Sequence, residues 1–166
     1  RVLTLALHVL LTTMMLVIKM MMAMMTLKIM TTPNCDVDDQ DDASDDVDDV
    51  IIDFLKASTI NEEQAVFLKT TVKNILEHPK LHDYYSSNYT VYNERDIITN
   101  SGELIRPDRL NINSKNQVVI IDYKTGDRKS YHSSQLNDYE SVLKQMNLTV
   151  THKILVYIND TVDVIE

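Results

Sequence analysis

An α/β fold around a mixed central sheet is what this sequence predicts, and three observations predict it. A run with helical periodicity at residues 62 to 77 is followed by three β-rich segments parted by turn residues, and these by a second helical stripe and two more strands. Helices, three strands, a helix and further strands in that order require at least one crossover, hence parallel and antiparallel neighbours in one sheet. With 166 residues, 44% of them hydrophobic, the chain has enough apolar mass for one domain with a core.

Taken in order, residues 1 to 35 form an apolar, Met-rich region, with five of the nine methionines in "KMMMAMM". Positions 2 to 18 lack formal charge apart from His8 when protonated, which would suit a membrane helix or a secretory signal. Lys19 and Lys28 interrupt the run, and a span needs about 20 apolar residues. The expectation is therefore a long buried helix and no membrane. Residues 36 to 49, "DVDDQDDASDDVDD", carry nine aspartates and no base. The stretch lacks the glycine and terminal glutamate of a calcium-binding loop, so a solvated linker or helix start is expected. The folded domain is then assigned to residues 50 to 166. The chain opens on Arg1 rather than methionine, from which the expectation is a chain cut from something longer or one that lost its start.

In "NEEQAVFLKTTVKNILEH", Ala65, Leu68, Val72 and Ile75 recur at helical spacing, with Asn61 as N-cap and glutamates in the first turn, so 62 to 77 is read as a helix. Pro79 stops it. His78 and His82 are four apart, as in a helical zinc pair, but Pro79 breaks the helix between them and a surface pair is the better reading. "YTVYNERDII", "GELIRPDRLNI" and "QVVIIDYK" are rich in β-branched and aromatic residues and separated by "TNSG" and "NSKN" turns, which predicts a three-stranded meander. The last of these is apolar on both faces and belongs in the sheet's interior. A helix from about Ser133 follows, with Leu136, Tyr139, Val142 and Leu143 as its stripe, then the strands "HKILVYI" and "TVDVIE".

Charge excludes little. The net charge is -9, yet residues 1 to 49 hold three bases against nine aspartates, while residues 50 to 166 hold thirteen against sixteen acids. The body is nearly balanced, and Arg106, Arg109, Lys124, Arg128 and Lys129 lie close together in sequence, enough for a local positive surface. The single cysteine, Cys35, excludes a disulfide framework, a four-cysteine zinc site and a cysteine-held iron-sulfur cluster within the chain. It suits a reducing cytoplasm.

The chemistry points to "VVIIDYKTG". Alternate residues of a strand share a face, so Asp122 and Lys124 point the same way and Tyr123 the other. Asp108, one meander arm back, can bring a second carboxylate to that place. Two carboxylates suit magnesium, which takes oxygen ligands and keeps waters for a phosphate substrate, and a lysine beside them can orient an attacking water or offset charge on the phosphate. The plain alternative is a salt bridge between Asp122 and Lys124 at a strand end. Against it stands the order of the pieces: Glu94, Asp108, Asp122-x-Lys124, then Gln135-x-x-x-Tyr139.

In "NERDI", "GELIRPDRL", "IIDYKTG" and "QLNDYESVL" the sequence resembles the RecB-type nucleases of the PD-(D/E)XK superfamily, as found at the C-terminal end of UvrD-like and AddA-like helicase-nucleases. The resemblance is strongest over residues 91 to 146. It implies a restriction-endonuclease-like core within residues 50 to 166, with the meander in a mixed sheet flanked by helices. It also implies Asp108 and Asp122 as metal ligands, Lys124 as the catalytic lysine, and Gln135 and Tyr139 near the DNA or the site. Glu94 matches an acidic position of less certain role, with a salt bridge to Arg95 or Arg109 as the plain reading. His8 is the candidate for the family's upstream histidine ligand, although no glycine precedes it and a histidine in an apolar helix is more often core.

The expected activity is a Mg2+- or Mn2+-dependent deoxyribonuclease, an exonuclease rather than an endonuclease, working in DNA repair or recombination. Arg106, Arg109, Arg128 and Lys129 would contact DNA phosphates without reading sequence; a solvated charged rim is their ordinary reading. With Gly102 and Gly126 as the only glycines there is no nucleotide-binding loop, so helicase domains would lie elsewhere in the polypeptide or on a partner subunit. The alternatives are a catalytically silent DNA-binding or scaffolding module with the same fold, and a membrane-tethered acidic protein that rests on residues 2 to 32 alone.

Overall fold

The computed structural model describes residues 14, 15, 17–19, 43–57 and 59–166. The chain forms two compact units, Arg1–Tyr85 and Ser86–Glu166. The division expected from composition at 49/50 instead runs through a helix, α1 (Ala43–Lys56), which starts inside the aspartate run. Its Val47, Val50, Ile51 and Phe54 are buried at helical spacing. Of the Met-rich region, Met14, Met15, Val17, Ile18 and Lys19 are helical, with Met14, Val17 and Ile18 buried. Among the described residues no helix is long and apolar enough to cross a membrane.

Helix α2 (Glu62–Leu76) forms where its periodicity predicts and packs on α1. Its start is fixed by a capping box: Asn61 Oδ1 accepts from the Gln64 N–H at 2.9 Å, and Gln64 Oε1 accepts from the Asn61 N–H at 2.9 Å. Ala65, Leu68, Thr71, Val72 and Ile75 are buried. After Pro79 the chain makes a single 3₁₀ turn, His82–Tyr85. His82 is exposed beside Asp83 at 2.9 Å, and His78 Nδ1 accepts from the Lys80 N–H at 3.1 Å. Each histidine serves its own turn.

The second unit holds the sheet. Its strands are β1 (Thr90–Asn93), β2 (Ile97–Ile98), β3 (Leu104–Ile105), β4 (Arg109–Ile112), β5 (Gln117–Lys124), β6 (Thr149–Ile158) and β7 (Val162–Ile165), with helix α3 (Ser130–Gln145) between β5 and β6. Five strands run in the order β1-β4-β5-β6-β7. All neighbours are antiparallel except β5 and β6, which α3 connects as a parallel pair. The sheet is thus mixed, as the element order requires.

The meander differs in one respect. Its first two arms each break in two, and β2 and β3 pair only with each other as a small separate hairpin. The breaks fall where strand geometry fails, at Glu94 with φ of 46° and at Pro107, which has no N–H to give a ladder. Between β4 and β5, Asn113 Oδ1 accepts from the N–H groups of Lys115 and Gln117, and Asn116 turns with φ of 58°. Every residue of β5 from Val118 to Tyr123 is buried, in keeping with an interior strand. On the face toward α3, Leu110, Val118, Ile120, Leu155 and Tyr157 pack with Leu136, Tyr139 and Leu143. The helix begins at Ser130, three residues before the expected Ser133.

Candidate active site

The face of β5 that carries Val118 and Ile120 into the core next presents Asp122 and Lys124, because alternation keeps all four on one side. Continuing the β4–β5 register one step past Arg109↔Ile121 sets Asp108 across from Asp122. Asp108 lies just ahead of β4 rather than on it, and its Oδ2 accepts from the Tyr123 N–H at 2.8 Å. The main chain between the two candidate charges therefore holds the second carboxylate. Residues opposite one another across an antiparallel pair share a face.

Asp122 is buried, with its side chain 2% exposed; Lys124 retains 18%. Lys124 Nζ stands 2.5 Å from Asp122 Oδ2 and donates to Gln135 Oε1 at 2.9 Å. Gln135 Nε2 donates to Tyr139 Oη at 2.7 Å, and Tyr139 donates to the Arg106 carbonyl at 3.3 Å. Three side chains and a main-chain oxygen, from Lys124 through Gln135 and Tyr139 to the Arg106 carbonyl, thus form one directed series, in which each side chain gives a hydrogen to the next group. Burial first, and the Asp122 charge second, push the Tyr139 phenol up to about 12, so it keeps the proton that it gives to Arg106. Gln135 meets Lys124 from the helix side, and Tyr139, four residues on along α3, meets Gln135.

The remaining candidates separate. Glu94 is exposed in the turn beyond β1, not on the strand, and its N–H donates to the Asp108 carbonyl at 2.9 Å. Arg106 is exposed and paired with Asp96 at 2.5 Å; the shared hydrogen bond lowers the Asp96 carboxyl and raises the guanidinium. Arg128 is exposed and engages Asp163, with its guanidinium 5.9 Å from the centre of the Tyr157 ring. Lys129 stands at the N-cap of α3, its ammonium 5.7 Å from the Tyr131 ring. Arg109 is a correction: it is 1% exposed, on the face opposite Asp122, where Nε donates to Asn111 Oδ1 at 2.9 Å. A side chain so placed has no access to a phosphate backbone. His8 lies outside the described residues.

Sequence reasoning missed His132. It is buried in the first turn of α3, and its Nδ1 lies 2.7 Å from Tyr157 Oη. Burial first, then the charges of Lys124 and Lys129, lower its pKa from the ordinary value. The signal was present: His132, Leu136, Tyr139 and Leu143 form one stripe, and starting the helix at Ser133 left out its first member.

Among the described residues no group of three or more His, Cys, Asp or Glu side chains gathers as a metal cluster. The donor set at this site is two carboxylates, which fits magnesium or manganese: hard oxygen donors, few from the protein, the remaining positions left to water and substrate. No protein-family model matches the chain, and no curated protein matches it.

Proposed function

We propose that the chain is the nuclease module of a RecB-type helicase-nuclease: a restriction-endonuclease-like domain that hydrolyses DNA phosphodiesters with Mg2+ or Mn2+. The observation that carries the reading is the meeting of five side chains from separate stretches on one face. Asp108 lies just ahead of β4 and Asp122 on the neighbouring β5, Lys124 is two residues on, and Gln135 and Tyr139 come from the crossover helix α3. A salt bridge at a strand end would need only Asp122 and Lys124.

Asp108 and Asp122 would hold the metal, which when bound supplies Lewis acidity to the scissile phosphate and a more acidic water. Lys124 brings a positive charge to the oxygens on which negative charge develops, and Gln135, fixed by Tyr139, limits where that ammonium can sit. The catalytically silent module remains the second reading, favoured by one observation: Lys124 Nζ already stands 2.5 Å from Asp122 Oδ2, as in an ordinary ion pair.

The test is incubation of the purified chain with end-labelled linear and closed circular DNA. Cleavage is expected with magnesium or manganese and not with calcium, whose larger, looser shell aligns water and phosphate less well. Asp122→Asn and Lys124→Ala should abolish it. Full cleavage in chelator, or near-native cleavage by either variant, refutes the mechanism, and DNA binding without cleavage by the unaltered chain establishes the silent module. Intact circles beside degraded linear DNA identify an exonuclease.

A further inference from the structure

We propose that His132 is a positioning residue for Lys124, acting through Tyr157; this rests on the reading above, in which Lys124 serves a phosphate. Tyr157 is the parallel partner of Lys124 in the β5–β6 ladder, so the two side chains leave adjacent strands on the same face. The hydroxyl of Tyr157 meets His132 Nδ1 at 2.7 Å, and both residues are buried. His132, Gln135 and Tyr139 share one side of α3 through their spacing of three and four. Lys124 is therefore bounded on three sides: by Asp122 along its own strand, by Gln135 from the helix, and by the Tyr157–His132 pair from the next strand.

The pair is well fixed. The Tyr131 ring stands edge-on to the imidazole at 4.5 Å, and the Arg128 guanidinium, itself engaged with Asp163, lies over the ring of Tyr157. Burial first, then the charges of Lys124 and Lys129, depress the basicity of the imidazole that meets the hydroxyl. A phenylalanine and a leucine would fill the same interface without desolvating two polar groups. What the polar pair adds is a fixed position for the Tyr157 ring, and so for the lysine beside it.

The experiment reads Lys124 directly, through the ammonium nitrogen–proton correlation of 15N-labelled protein, assigned by its loss in Lys124→Arg. Tyr157→Phe, which removes a single oxygen, should shift or broaden this signal, and His132→Ala should do the same. His132→Asn, whose side-chain nitrogen falls near the place of Nδ1, should restore it. In DNA cleavage each disabling variant should lower kcat about tenfold at unchanged KM, with the double variant no worse than either single one, as for residues acting as a unit. A Lys124 signal unmoved in both Tyr157→Phe and His132→Ala overturns the proposal and makes His132 a core residue. Failure of the unaltered chain to cleave DNA counts against the nuclease reading alone, because the Lys124 signal is read without DNA.

Discussion

Replacing Lys124 by methionine should destabilise the protein by about 2–4 kcal/mol. Removing one partner of a fully buried ion pair costs about 3–5 kcal/mol, because the other charge stays behind without its counter-charge. Here the carboxylate is the deeper partner, 2% exposed against 18% for the lysine, so most of that penalty remains and some is relieved by water at the lysine's end. For a chain of this size each kcal/mol moves Tm by about 2–4 °C, so circular dichroism should register a fall of about 10 °C in chelator. Asp122→Asn/Lys124→Met, with both charges gone, should recover most of the loss. Magnesium should also rescue Lys124→Met, since a cation at Asp108 and Asp122 replaces the missing charge. A site with a Kd of about 0.1 mM would return about 2.7 kcal/mol at 10 mM metal. An unchanged Tm in Lys124→Met would refute the buried pair; a clear fall with no response to magnesium would refute the carboxylates as a cation site.

Three other outcomes are expected. Asn61→Ala removes the oxygen that caps α2 and should lower stability by about 1–2 kcal/mol, read as a lower urea midpoint at unchanged m, with Gln64→Ala costing less. Arg109→Met removes the bonds to Asn111 and Asn93 and should cost about 2 kcal/mol in the same titration while leaving DNA affinity in a gel-shift assay unaltered. His132 has a folded-state pKa below its ordinary 6.5, so the unfolded chain takes up its proton first as pH falls. Stability should therefore decline below pH 6.5, and His132→Asn should remove that part of the acid sensitivity in a series of denaturant midpoints.

The elements were legible where periodicity and turn chemistry agreed. Asn61 with Gln64 three residues on marks the start of α2, and its apolar spacing carries it to Leu76. The unbroken apolar run of β5 announced an interior strand, and the helix after it announced the parallel crossover to β6. The small hairpin was less legible, because "YTVYNERDII" and "GELIRPDRLNI" each read as one strand by propensity. A positive φ at Glu94 is a tertiary outcome that propensity does not report, whereas Pro107 gave a local warning against an unbroken strand. The start of α1 inside the aspartate run was obscured for a different reason: Val47, Val50, Ile51 and Phe54 form a buried stripe, but the charge density around its first half reads as linker.

The site divides along the same line, between what alternation fixes and what requires register. That Asp122 and Lys124 share a face follows from the strand alone. That Asp108 stands across from Asp122 requires the β4–β5 pairing, which a short "NSKN" turn makes plausible but does not fix to the residue. Once Asp108 is given that face, Arg109 is decided as well. Neighbours on an extended chain point apart, so the carboxylate that turns toward Lys124 sends the next guanidinium into the opposite side of the sheet. Grouping Arg109 with Arg106, Arg128 and Lys129 by proximity in sequence ignored that parity, and its burial beside Asn111, two residues on and on the same face, is the consequence. Of the four basic residues grouped for phosphate contact, Arg106, Arg128 and Lys129 are exposed, and the two arginines already engage Asp96 and Asp163. A DNA backbone would have to compete with those carboxylates, at exposed pairs that individually contribute little to stability and are weakened by salt, so the exchange is open to a polyanion.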